Sequence, residues 1–209
     1  MHQLTVGNIV QNAFQLGSQN LFSILGAAIL WLLTIWIPYL NVGTTIAMVS
    51  LVVVLGKGGA VSPSEIFDSK YRKHMGEFFI LISLICLGVL AGYMFMIIPG
   101  IVIAIAWSQA IYLLVDKGVN PMQAISLSNK LTYGKKWTIF GANLIITVIG
   151  IVVISIITWI VGHISETLAG LIGFVGYIVL MVFTLSAAAY IYGVYSSLLD
   201  QARAKNASA

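Results

Sequence analysis

The chain has 209 residues, 60% of them hydrophobic and only 8% charged, with a net charge of +4 and a mean hydropathy of +1.03. Soluble domains carry roughly a quarter charged residues. The composition therefore excludes a soluble domain and points to a helical membrane protein with room for about six spans.

At the N-terminus, "MHQLTVGNIVQNAFQLGSQN" lacks the basic start and small-residue cleavage site of a signal peptide, so the first span is expected to be retained. Thr5 reads as a helix cap, with Leu4 and Ile9 at hydrophobic-staple spacing. The helix after it sets Asn8, Gln11, Asn12 and Gln15 against an apolar face of Val6, Val10, Ala13 and Gly17. Apolar runs at 21–40 and 42–55 supply the first two spans. "VSPSEIF" then reads as a complete start signal for a helix over 62–75. Ser62 caps, Pro63 takes the first helical position, Glu65 closes a capping box, and Val61 with Ile66 makes the staple. Spans three and four are 78–98 and 101–115. Cys86, the single cysteine, lies in the third and reads as a small buried hydrophobe.

The stretch "VNPMQAISLSNK" echoes the start signal, with Asn120 as cap, Pro121 first and Gln123 in place of Glu65. It predicts a helix over 120–133, with Ala124, Leu127 and Leu131 opposing Ser126, Asn129, Lys130 and Tyr133. Runs at 137–161 and 167–199 complete six spans, none holding Lys, Arg, Asp or Glu, ahead of a tail at 200–209.

The ten cationic residues set the expected orientation. Lys57, Lys70, Arg72 and Lys73 fall between spans two and three; Lys117, Lys130, Lys135 and Lys136 between four and five; Arg203 and Lys205 in the tail. The alternate connections "PYLNVG", "IIPGI" and "GHISE" hold no Lys or Arg. The positive-inside rule makes the basic side, and both termini, cytoplasmic. Lys70, Arg72, Lys73, Lys130, Lys135 and Lys136 are expected at the lipid headgroups or cytoplasmic interface.

Ser62 and Asn120 lie 58 positions apart, and the first two outer turns share Ile-Pro, at Ile37-Pro38 and Ile98-Pro99. With Thr5, these signals read as three tandem units, about 4–61, 62–119 and 120–199. The expected fold is an all-α membrane protein of six transmembrane helices, a single domain of three parallel hairpin repeats. Each hairpin follows a cytoplasmic interfacial amphipathic helix.

Several stretches resemble a known family: "NLFSIL", "LGKGGAVSPSEIFDSKY", the Pro99-Gly100 turn, the Trp107-Ser108 region, and the spaced set Asp116, Gly118, Ala124 and Ser128. Over residues 6–195 the chain is similar to the six-span membrane domain attached to some bacterial glycerophosphoryl diester phosphodiesterases, and to related stand-alone inner-membrane proteins. The resemblance implies a helical membrane domain. It does not carry over phosphodiesterase activity, because the soluble catalytic domain with its acidic and histidine ligands is absent from this sequence.

The residues themselves point away from chemistry. His2, His74 and His163 are far apart, and no metal-ligand spacing, phosphate loop, nucleophile elbow or paired carboxylates appears. His163 and Glu166 read as an exposed polar turn. No cofactor, metal or enzymatic activity is expected. A nucleic-acid partner is not expected either, since no clustered basic surface with stacking aromatics is present. With no ionisable residue inside a span, proton-coupled transport is disfavoured.

Asn143, Ser108 and Gln109 lead the candidate intramembrane polar contacts, with Ser83, Thr147, Ser155 and Thr158. Gly88 and Gly92 form G-x-x-x-G in span three, and Gly170, Gly173 and Gly176 recur in span six, as helix-packing positions. The expected protein is a non-enzymatic bacterial inner-membrane protein that binds or moves a lipid-like or amphiphilic molecule in envelope maintenance, with membrane lipids as partners. Two alternatives stand beside it: a structural, protective or accessory subunit docking a membrane-protein partner or a second copy through the span-six glycines, and an oligomeric pore.

Overall fold

A computed structural model describes residues 4–207; the side chains of Arg72, Lys73, His74, Arg203, Asn206 and Ala207 stand outside that description. Among the described residues all regular structure is helical. In chain order it comprises α1 (Val6–Gln19), α2 (Leu21–Thr34), α3 (Pro38–Gly56), 3₁₀ turns at Pro63–Phe67 and Ser69–His74, α4 (Met75–Phe95), α5 (Ile97–Trp107), α6 (Ala110–Lys117), α7 (Pro121–Thr132), α8 (Lys136–Gly162) and α9 (Glu166–Ala207). Five stretches are long and apolar enough to cross a membrane: α3, α4, α5 with α6, α8 and α9. The pair α1 and α2, bent by 79°, passes the same test only when taken together, giving six if it counts as one span.

Burial is inverted relative to a soluble protein. The highly apolar α8 exposes Leu144, Val148, Ile149, Val152, Ile156 and Ile160, and α4 exposes Leu87, Leu90, Met94 and Phe95. Contiguous apolar surface of this kind is suited to lipid, where helices satisfy their own backbone groups.

Local chemistry sets the helix ends. Thr5 Oγ1 accepts the Asn8 N–H at 3.3 Å and Asn120 Oδ1 accepts the Gln123 N–H at 2.9 Å, so both caps form. Pro38 opens α3, and Pro99 lies in the first turn of α5, where a missing N–H leaves no helical bond unmade. At the other ends, Gly58 (φ +76°) and Gly118 (φ +60°) adopt the left-handed conformation that closes α3 and α6.

The signal at Ser62 plays out differently. Its side chain makes no cap bond; instead the Ser62 and Ser64 hydroxyls bond each other at 2.9 Å. Two 3₁₀ turns replace the helix expected over 62–75. The reason lies in burial: Ile66 and Tyr71 both enter the core between α2 and α3. Five residues apart, they would point about 140° apart on one α-helix. Asp68 resolves the conflict by accepting the Lys70 N–H at 2.9 Å and starting a second turn.

The apolar stripe of α1 packs against protein. Ile9, Ala13 and Gly17 are buried, with Ile9 and Ala13 in a cluster formed with residues of α8 and α9. Gly17 abuts Phe183 and Ser186, roughly 10–15 Å along α9 from Gly193 at the basic end. Small residues at 13 and 17 permit that approach, and protein takes the place of lipid against the stripe. Likewise α7 buries Ala124, Ser128 and Thr132; Leu127 and Leu131, expected in the stripe, flank it half-buried.

Other expectations shift at their edges. The helix over the first apolar run ends at Thr34 rather than 40, the fourth run forms Ile97–Lys117 with a break after Trp107, and α9 continues as helix through the tail to Ala207. Cys86 is exposed, not buried. The centre of the bundle is α9, against which α1, α2, α3 and α8 pack. Near its basic end, Gly193 meets Gly56 backbone to backbone.

Candidate functional site

Charged and hydroxyl groups gather where α3, α6 and α9 meet. Lys57 closes α3, Asp116 and Lys117 close α6, and Tyr192 and Asp200 come from α9. Lys57 pairs with Asp116 Oδ1, and the Tyr192 hydroxyl donates to Oδ2 at 2.6 Å. Lys117 Nζ lies 3.4 Å from Asp116 Oδ2 and 3.0 Å from Asp200 Oδ1. Asp116, whose side chain is only 10% exposed, thus has a partner on each oxygen. Charge-assisted bonds of this kind are the strong ones.

Further into the bundle, the break between α5 and α6 leaves backbone groups without helical partners, and α7 supplies them. Ser128 Oγ accepts the Gln109 N–H at 3.1 Å and donates to the Ala106 carbonyl at 2.6 Å. The Thr132 hydroxyl reaches the same carbonyl at 3.4 Å. The Gln109 side chain donates to Ser108 Oγ at 3.1 Å, while its Oε1 is buried without a hydrogen-bond partner.

A third feature is a groove of about 650 Å³, open along one side and walled by α1, α8 and α9. Val10, Gln11, Ala13 and Phe14 close one end; Ile146, Ile149, Val153 and Ile157 of α8 face Gly176, Val179, Leu180 and Phe183 of α9. Among the described residues Gln11 is the one polar side chain in the lining. The groove exists because α1 is short: its 14 residues span about 21 Å, against about 40 Å for the 27 residues of α8. Where the chain turns at Asn20, whose side chain donates to the Leu16 carbonyl at 3.0 Å, the seam between α8 and α9 is left uncovered. Phe14 stacks on Phe183, centroids 5.4 Å apart, at that end.

The residues singled out from sequence fall in several places. Ser108 and Gln109 come together at the helix break; Asn143 is exposed on α8. Lys70 pairs with Asp68 at 3.0 Å and lies over the Tyr71 ring. The backbone N–H and ammonium of Lys70 hold the Asp68 carboxyl below its usual range. Arg72 and Lys73 lie outside the described side chains. Lys130 and Lys135 are exposed, and Lys136 donates to Asn129 Oδ1 at 3.0 Å. Gly88 receives Trp107 and Gly92 receives Gly100 and Ile103, so both serve the contact of α4 with α5. Gly173 and Gly176 receive Thr158 and Ile154 of α8, while Gly170 faces open space. The His163 Nδ1–H donates to the Trp159 carbonyl at 2.8 Å.

No protein-family model matches the chain, and no curated protein or solved structure matches it.

Sequence reasoning missed two arrangements. The pairing of Lys57 and Tyr192 with Asp116 had a signal in the dipeptide Lys-Gly, which closes both α3 and α6. A polar ladder between α2 and α3, where Trp31 Nε1 donates to Thr45 Oγ1 at 2.9 Å and Thr34 meets Thr44 at 2.8 Å, was marked by hydroxyls spaced through two apolar runs.

Proposed function

We propose that the chain is a non-enzymatic, multi-pass protein of the bacterial cytoplasmic membrane, with both termini inside, that binds or moves an amphiphilic molecule. The observation that carries this reading is the apolar groove between α1, α8 and α9. Its volume of about 650 Å³ falls in the range of roughly 300–1,000 Å³ usual for small-molecule sites. Its α8 wall runs from Ile146 to Ile157, about 17 Å along the helix, an elongated shape suited to a lipid chain.

In support of the orientation, Lys57 and Lys117, at the ends of α3 and α6, share Asp116. The resemblance to phosphodiesterase-linked membrane domains is read as a shared helical scaffold in three parallel units. α8 already occupies Gly173 and Gly176, which weighs against those glycines as a docking face for an accessory subunit.

Native mass spectrometry of detergent-exchanged protein tests the reading. One lipid is expected to stay bound to the wild type and to be lost from Val153→Trp, whose side chain fills the groove, with little change in the melting temperature of the lipid-stripped protein. A wild type without retained lipid, and without stabilisation on lipid addition, would overturn it.

A further inference from the structure

Accepting that the groove holds an amphiphile, its charge environment says which class. Residues 4–56, which include α1, carry no charged side chain, and neither do residues 137–162 of α8 or 167–199 of α9. The cation nearest along α8 is Lys136, about 15 Å along the helix from Ile146, and its ammonium is engaged by Asn129 at 3.0 Å. Among the described residues the only polar side chain in the lining is the carboxamide of Gln11, which is exposed and makes no hydrogen bond within the described structure.

Depth makes the same point. Val10 and Phe14, the neighbours of Gln11 in the wall, sit beside Ile146 and Phe183. Phe183 is roughly 15 Å along α9 from Gly193 at the basic end. A phosphate drawn to that depth would lose its water and find no counter-charge, a steep penalty in hydrocarbon. An uncharged hydroxyl or carbonyl needs one hydrogen-bond partner there, and a carboxamide can donate or accept.

We infer that the groove takes a neutral lipid, its long apolar chain against Ile149, Val153 and Ile157 and its uncharged hydroxyl- or carbonyl-bearing end at Gln11. Anionic phospholipid is excluded from it.

The test uses purified full-length protein and two photoreactive probes with the same diazirine-bearing acyl chain, diacylglycerol and phosphatidylglycerol, with crosslinks mapped by mass spectrometry. The diacylglycerol probe is expected to label peptides of α1, α8 and α9, and phosphatidylglycerol to label them little and compete poorly. Unlabelled diacylglycerol and a polyprenol serve as rival competitors, and the stronger identifies whether the chain is acyl or isoprenoid. Gln11→Leu is expected to lower capture about fivefold, the worth of one hydrogen bond, at an unchanged melting temperature. Gln11→Lys is expected to shift capture toward phosphatidylglycerol.

Preferential capture of phosphatidylglycerol by the wild type would overturn the neutral class while leaving amphiphile binding intact. Absence of groove labelling by either probe would overturn both. Equal capture by Gln11→Leu, Gln11→Lys and wild type would remove Gln11 from the site and with it the basis of the inference.

Discussion

At the basic end, Asp116 has a partner on each carboxylate oxygen and Gly193 lies backbone to backbone with Gly56. Along the groove between α8 and α9 the two walls meet through apolar side chains and the glycines Gly150 and Gly176. The first arrangement is directional and close-packed, so it fixes where α3, α6 and α9 stand relative to each other. The second has no partners to lose and tolerates exchange of what lies in it. A membrane protein needs both: lipid surrounds all apolar surface alike, so specific geometry must come from polar pairs and backbone approach, while exchangeable contents need a surface that makes no such demands.

The sharpest way to break this contrast is to add volume where backbones touch. Gly193→Val would drive a side chain into the Gly56 carbonyl, and we expect a loss of about 3 kcal/mol, seen as a collapse in melting temperature and in monodisperse yield. Gly170→Val, in open space on the same helix, should leave both unchanged. If the two variants behave alike, the basic end is not a rigid junction.

Removing the shared carboxylate comes next. Asp116→Ala takes the partner from Lys57 and Tyr192 while Lys117 keeps Asp200, with an expected loss of about 2–4 kcal/mol in denaturation by a graded detergent series. Asp116→Asn keeps an acceptor for Tyr192 and should lose less. Ser128→Ala deprives the Gln109 N–H of its partner and leaves the Ala106 carbonyl only the longer bond from Thr132, and about 1–3 kcal/mol is expected. Hydrogen exchange at Gln109 should rise while the ends of α8 keep their protection, which separates a local break from general unfolding.

What the sequence made legible follows the same division. Helices were plain because the apolar runs are long and uncharged, and caps at Thr5 and Asn120 were plain because they are local chemistry. Ser62 misled because a capping box speaks only for its own turn, and the simultaneous burial of Ile66 and Tyr71 is decided by α2 and α3. The Ser128 bridge could not be read from its spacing. Its meaning depends on a break at Ser108–Gln109, where the sequence "IAWSQAIY" shows no proline or glycine to mark it. The groove was invisible for a further reason: it is a consequence of where α1 ends, and no residue type announces a missing neighbour.

The smallest expected effect lies at the turn of Asp68. There a carboxylate accepts the Lys70 N–H at 2.9 Å and pairs with its ammonium at 3.0 Å, a geometry as good as that of Asp116. Both side chains, however, are well exposed, 57% for Lys70 and 40% for Asp68, so water and salt screen the pair. The folded-state carboxyl is held below its usual range. Whatever it adds is therefore present above the ordinary aspartate range and lost as pH falls through the lowered value. Melting temperatures of wild type and Asp68→Asn should coincide near neutral pH in 0.5 M salt, chosen at roughly the concentration where screening acts within a few ångströms. They should differ only slightly at low salt, and that difference should vanish on acidification. A large, salt-independent gap would mean that the turn holds Ile66 and Tyr71 in the core through Asp68 itself. Hydrogen-bond geometry would then outweigh burial in deciding which polar pairs carry this fold.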